Sequence, residues 1–542
     1  MATATARPEV FTRKASGLVR VMSPFSAFVY NILTMGLIFP WTYLWAPGAL
    51  PGGKLVWGIL LAMVIEIPIA FVYVWLSTAL PRSGGDYVFQ SRVFGGGTAF
   101  TVVMSGYVIW ILQWVALSGW LLSYLGFAPL FLGLGATTGS AAMSGIGIWF
   151  TTSTGIIITS ILNALVAALI LISGFKNYVR FQTVMIVGTL LAFVTMLVVL
   201  FLGSPATSMA KIDSFALAVS GTQNFVQTAI DASVAAGVDL NPPFSLLATL
   251  LVAPIAWTSL QWATYSAQQN GEIKNARSFN SQVFIIVGSL IFTGILLAIL
   301  AAGLEKAVGT EFLYVAGAGY WSGVGEATVA GFWLWPNIIA VALTASPLVV
   351  VIIGLGYILN SHQIVHNCYI GMTRVMVAMS LDRLLPEAIS KVDEKRHTPA
   401  NAHWAYFIAS IPVILLYNLY PGWVGLTLGV TFACGYVFVI TCLAGALLPY
   451  RAKDVYEASP GAKYKIGGVP LVTILGATGF ILGGVMVMMF MLYPQLGLTS
   501  ALAYWVVFGV LAFSAIWYFL VKNAQKSRGI NVDYAFKEIP PE

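Results

Sequence analysis

Residues 241–276 read NPPFSLLATLLVAPIAWTSLQWATYSAQQNGEIKNA, an apolar segment with an interruption built into its middle. Pro254 removes a backbone donor near the depth of a bilayer centre. Trp257, Thr258, Ser259, Leu260 and Gln261 then place polar groups where hydrocarbon tolerates few. Irregular backbone at that depth has to line a cavity. Residues 23–45 repeat the arrangement, with Asn31, Thr34 and Gly36 interrupting an apolar run ahead of Pro40. Two broken hydrophobic segments at corresponding positions of two halves point to a transporter whose ligand binds near the bilayer midplane.

The rest of the chain supports a membrane setting. Of its 542 residues, 59% are hydrophobic and 8% charged, against roughly a quarter charged in soluble domains. A soluble protein is thereby excluded, and the lack of strict apolar–polar alternation argues against a β-barrel. Runs of about 20 apolar residues suffice to cross a bilayer. Twelve spans are expected, near 23–45, 54–79, 92–124, 146–172, 178–202, 244–269, 281–304, 337–378, 402–420, 425–449, 468–493 and 498–521.

With the N-terminus inside, only Lys54, Lys211 and Lys306 of the 26 basic residues fall on the outer side. The positive-inside rule then places both termini in the cytoplasm, in a multi-pass protein of the cell membrane. The basic excess lies between spans rather than on one folded face, so nucleic acid is not the implied partner. Residues 1–22 lack the hydrophobic core of a signal peptide and read as a cytoplasmic segment. Cys368, Cys434 and Cys442 sit in or beside apolar runs without metal-ligand spacing, so no metal site and no disulfide are expected.

The fold class is therefore an all-α integral membrane protein. Residues 23–202 (spans one to five) and 244–449 (spans six to ten) make two halves, each opening on a broken segment, with opposite orientations as in an inverted repeat. Residues 203–243, carrying Asp213, Asp231 and Asp239, form an outer loop with some amphipathic helix. A second outer segment covers 305–336. Pro347 should kink the long eighth segment or set off a preceding outer helix. Residues 450–521 hold a cytoplasmic loop and spans eleven and twelve, a peripheral scaffold or dimer face, and 522–542 a flexible cytoplasmic tail.

Three loops on the basic side resemble those of the amino acid, polyamine and organocation (APC) superfamily of permeases. Pro81-Arg82-Ser83-Gly84-Gly85-Asp86-Tyr87 follows the second span, and Gly271-Glu272-Ile273-Lys274-Asn275 the sixth. Arg374, Asp382-Arg383-Leu384-Leu385-Pro386 and Thr398-Pro399 follow the eighth. The resemblance runs over roughly 20–520 and implies a five-plus-five inverted repeat with discontinuous helices 1 and 6 and two peripheral helices. It also implies secondary active transport of an amino acid or related amine by alternating access. Read from the residues alone, Arg82 and Arg92 anchor helix ends at an anionic inner leaflet. Arg374, Asp382 and Arg383 either fix topology or form a cytoplasmic gate.

Relatives that carry α-amino acids have a glycine-serine-glycine turn in the first span. Thr34-Met35-Gly36 stands there in this chain, keeping one glycine. The expected substrate contacts are Asn31, Thr34 and Gly36, then Thr258, Ser259 and Gln261, with Trp257 as a gate and Gln113 of the third span as a further contributor. Indole walls favour an apolar or cationic solute. Trp257 and Trp262 have a second reading, as packing side chains.

No nucleotide-binding loop of the Walker type is present, which leaves ion or solute gradients as the energy source. Thr189 occupies the position where some proton-coupled relatives carry a lysine in the fifth span. Glu66, near mid-membrane, and His362 with His366, one turn apart on the eighth span, are the proton-carrying alternatives. Sodium held by carbonyls with Thr34 and Ser361 is the other. No cofactor beyond such an ion is expected. A solute sensor without net transport and a polyamine or other organocation carrier are the competing functions. An enzyme is disfavoured, because no nucleophile–base pair or metal cluster is evident.

Overall fold

A computed structural model describes residues 16–38, 41–496 and 501–538, with the side chains of 421, 422 and 424–431 outside that description. Pro40 and the first residues of the expected twelfth span lie outside it. Among the described residues eleven helices are long and apolar enough to cross a membrane, and the only sheet is a two-stranded turn at Lys465–Ile466 and Val469–Pro470.

The first span is divided. Helix α1 (Pro24–Met35) starts where Ser23 Oγ accepts from Ser26 N–H, with Pro24 in the first turn. It ends because Gly36 adopts φ 77°, which a side chain would resist. Helix α2 (Thr42–Ala49) resumes after the break. Helices α3 (Leu55–Ala79) and α4 (Gly85–Phe94) follow. Next comes α5 (Gly96–Thr138), 43 residues long and loosened by π-helical turns at Met104–Ile109 and Leu122–Phe127. Helices α6 (Ser153–Ile172) and α7 (Phe175–Leu202) close the first half. The expected outer loop is largely helical, as α8 (Pro205–Ser220) and α9 (Phe225–Ala235).

Helix α10 (Leu246–Leu260) corrects the reading of its segment. Pro254 is absorbed inside it, and the chain does not break at 254–261. Instead the backbone tightens at Gln261 into 3₁₀ turns through Glu272, with non-helical torsions only at Gln269. A break therefore separates α1 from α2, while the segment 246–272 runs on from α-helix into 3₁₀ turns.

Helix α11 (Phe279–Trp321) bends at Gly309 (φ 79°) and takes up much of the expected 305–336 loop. A short α12 (Pro336–Ala342) precedes α13 (Pro347–Leu381), whose start is set by Ser346 as cap and Pro347 in its first turn. Pro347 thus begins a helix instead of kinking one. Helices α14 (Ala400–Leu419), α15 (Pro421–Arg451), α16 (Leu471–Leu492) and α17 (Ala501–Ser527) follow, besides the short helices Ala141–Trp149 and Lys453–Glu457.

Small residues let these helices approach. A Cβ on Gly58 of α3 would lie 2.3 Å from Val252 of α10, and one on Gly356 of α13 would lie 2.0 Å from Ala192 of α7. Val187, Leu191 and Val194 of α7 stay exposed, as do Ile481, Met488, Trp505 and Phe519 of α16 and α17. Apolar surface of this kind suits lipid contact.

The tail is the other correction. Val532–Lys537 forms a 3₁₀ turn that buries Val532, Ala535 and Phe536. The Phe536 ring lies where a Cβ on Gly96 would come within 2.1 Å of it, and Arg92 donates to the carbonyls of Ala535 and Glu538. Arg92 is accordingly buried against protein, not displayed to a leaflet.

Candidate functional site

A cavity of about 50 Å³, room for a few water-sized groups, opens beside the break between α1 and α2. Thr34, Met35 and Gly36 bring it the C-terminal end of α1, and Trp41 borders it just before α2. The end of α10 supplies Thr258 and Ser259, and the 3₁₀ turns after it supply Trp262 and Tyr265. Helix α5 adds Ile111, Trp114 and Leu121, and α13 adds Ile364, Asn367 and Cys368. None of these lining residues is charged. The carbonyl end of α1 gives the cavity a negative pole, and hydroxyls of Thr34, Thr258 and Ser259 stand beside it.

The 3₁₀ geometry explains the wall. Three residues per turn stack positions i and i+3, so Trp262 and Tyr265 share one face of the tightened segment, just after Ser259 in the last turn of α10. Tyr265 can sit close to α13 because Gly371 faces its hydroxyl, 2.4 Å from where a Cβ would be. Tyr30 stacks on Tyr265 at 6.1 Å, and Trp114 meets Trp262 edge-on at 5.9 Å. On the opposite side Trp41 packs against Trp120, Tyr320 and Trp335.

Of the eight expected substrate contacts, Thr34, Gly36, Thr258 and Ser259 line the cavity, and the other four do not. Asn31 is fully buried as a tie between segments: its Nδ2 donates to Ser266 Oγ and Ile285 O, and its Oδ1 accepts from Ser266 N–H at 2.9 Å. Gln113 accepts from Trp423 Nε1 at 2.9 Å. Gln261 turns back toward the Thr258 carbonyl, 3.4 Å away. Trp257 does not line the cavity: its indole donates to Glu66 Oε2 at 2.6 Å, fully buried.

The coupling residues separate. Thr34 Oγ1 donates to Tyr30 O and accepts from Asn367 Nδ2 at 2.7 Å, which links α1 to α13. Ser361 donates to Tyr357 O within its own helix. His362 Nδ1 pairs with Asn163 Oδ1 at 2.6 Å, and His366 Nδ1 contacts His362 O at 2.9 Å, so the two rings face α6 and α7 and not the cavity.

Sequence reasoning missed Tyr265, Trp114, Asn367 and Cys368. The spacing 259–262–265 carried the signal for the first, and was hidden because an ordinary helix spreads those positions around its circumference. Ile364 and Cys368 form an i, i+4 pair on the eighth span, two residues removed from the histidine pair on which attention settled.

Below the cavity, on the face holding both described chain ends, polar groups join many elements. Asp86 accepts from Tyr73, Gln268 and Thr441; burial pushes its carboxyl up and these bonds pull it back. Gly84 (φ 104°) and Gly85 (φ 35°) shape that turn, and Gly84 N–H reaches Gln268 O at 2.8 Å. Arg374 grips Glu272 with Nε at 2.7 Å and Nη2 at 2.9 Å, neither side chain more than 1% exposed. Arg374 therefore pairs across to the sixth segment, while Asp382 takes Tyr87 and Arg92.

A protein-family model described as "Amino acid permease" matches residues 23–513. A protein of Sulfolobus islandicus rod-shaped virus 1, "Uncharacterized protein 399", is 31% identical over 83 residues, which is 15% of this chain and 21% of that protein.

Proposed function

The chain belongs to the amino acid permease family, a family of transporters and not of enzymes, and on that premise we propose that it is a secondary active transporter for an amino acid or related amine. Solute binds in the cavity between the broken first span and the rewound sixth, against Thr34, Gly36, Thr258 and Ser259, with Trp262 and Tyr265 as its aromatic wall. The observation that carries this reading is the cavity's position, at the end of a helix that stops part-way through an otherwise apolar bundle. We read the chain as two inverted five-span repeats, the pair α1–α2 serving as the first span, with proton or sodium gradients biasing alternating access. Both termini face the cytoplasm in this reading, on the strength of the basic residues on their side.

The aromatic wall favours a second reading of the cargo, an organic cation lacking a carboxylate, held by cation–π attraction. Uptake into proteoliposomes separates the alternatives. An equimolar mixture of labelled amino acids and a separate mixture of polyamines are supplied, and accumulation of either identifies the cargo class. Stabilisation of the purified protein by a mixture that is never accumulated would show a sensor and overturn the transport reading.

A further inference from the structure

Glu66 is a buried carboxyl held by one side-chain hydrogen bond among the described residues. It sits on α3, 0% exposed, with Oε2 accepting from Trp257 Nε1 and Oε1 buried without a hydrogen-bond partner. Among the described residues no lysine or arginine forms an ion pair with it. Of the other buried titratable groups, the Cys442 thiol on α15 lies within electrostatic reach of it. That thiol also senses Asp86, whose own bonds go to Tyr73, Gln268 and Thr441. Among the described residues no cation pairs with Glu66, and an uncompensated charge in an apolar interior is costly.

The partner it does have is placed to matter. Trp257 directly precedes Thr258 and Ser259, which line the cavity, and its ring lies 6.3 Å from Phe438. Phe438 in turn meets Trp262 of the cavity wall at 5.8 Å. A change at the carboxyl thus reaches the solute space through one indole and one shared phenyl ring.

We propose that Glu66 is a proton-binding site that couples proton movement to solute movement through Trp257. The proton is held at Oε1 while Oε2 keeps the indole bond. On deprotonation, the charge demands further solvation and releases Trp257 and the Thr258–Ser259 wall from their present setting. This rests on the transport reading above and names the ion that drives it. The histidine pair is the alternative carrier, its Nδ1 atoms bonded to Asn163 and to its own helix, with His366 directly preceding Asn367 of the wall.

The test is made in proteoliposomes containing a trapped pH-sensitive dye, with an equimolar mixture of the twenty standard amino acids as probe. The full chain is expected to acidify the lumen on addition of solute and to accumulate it under an imposed gradient of about one pH unit, worth up to about tenfold for one proton per solute. Glu66→Gln should abolish both, bringing accumulation down to equilibration while exchange between internal and external solute persists. Trp257→Phe, which keeps a ring but deletes the N–H, should weaken the coupling in the same sense.

Coupled acidification that survives Glu66→Gln overturns the proposal. So does its loss in His366→Gln with Glu66→Gln unaffected, or solute accumulation by the parent protein that requires sodium and moves no protons; this last result leaves the transport reading standing. If Glu66→Gln loses exchange as well, Trp257→Phe decides: exchange with unchanged acidification overturns the coupling role, and exchange with lost acidification upholds it. A parent protein that moves no solute in any arm removes the transport reading itself, and this inference with it.

Discussion

Trp262 joins the cavity wall to the aromatic cluster behind it. It borders the cavity, meets Trp114, Tyr265 and Phe438 edge-on, and has Tyr107 tilted beside it at 6.1 Å. Trp262→Ala should raise the apparent KM by about tenfold, the equivalent of ~1.4 kcal/mol of lost contact, whereas Trp262→Phe should recover much of it; uptake at varied solute concentration measures both. Arg374 offers a contrast, because its value lies in a charge that is never seen from outside. Removing its partner with Glu272→Gln leaves a buried guanidinium facing a neutral amide, and breaking such a pair costs about 3–5 kcal/mol. A lowered unfolding temperature in detergent is expected, and an unchanged one would show that Thr373, His403 and Phe175 suffice to hold it. The type of each of these residues could be read in the chain. Their partners could not, since Glu272 and Arg374 are 102 positions apart.

At the scale of elements, the sixth segment teaches most. Its polar interruption, Thr258 to Gln261, is visible in the sequence, yet the structure meets it by winding the helix tighter instead of breaking it. A proline inside a helix forfeits one hydrogen bond, and buried neighbours can absorb that loss. The α2–α11 contact rests on bare backbone: a Cβ on Gly317 would stand 2.4 Å from Gly48 N. Gly317→Ala should therefore cost about 1–3 kcal/mol by overpacking, detectable as earlier thermal aggregation of the purified protein. The terminal turn makes an opposite case, in which side chains pack where a free tail was expected. Ending the chain after Asn531 removes the buried Val532, Ala535 and Phe536, Phe536 alone being worth about 2 kcal/mol of burial. The shortened protein should melt earlier, and Phe536→Ala should reproduce much of the shift. A VKNAQKSRGINVDYAFKEIPPE run gives little hint of this, because its apolar residues are few and gain their meaning only from the Gly96 cleft they fill.

For the whole molecule the asymmetry of charge is the organising fact. Lys211 lies in an exposed stretch of α8, and Lys395 lies in the exposed turn before α14. A membrane-impermeant maleimide applied to intact cells should label Lys211→Cys at once and Lys395→Cys only after permeabilisation; the reverse pattern would invert the orientation. The native Cys368, Cys434 and Cys442 are free and buried, so the background should be low. Hydropathy and charge placement by themselves determined that this is a many-span helical membrane protein with a break at Gly36 and a polar patch at Thr258–Ser259. Those conclusions depend on local composition, which a single chain displays in order. Tertiary structure alone decided that Trp257 serves Glu66 while Trp262 walls the cavity, that Arg374 closes on Glu272, and that the tail is clasped. In a nearly all-apolar chain the few polar groups cannot satisfy themselves where they stand, so their roles are set by whichever distant partner the packed helices bring within hydrogen-bond reach.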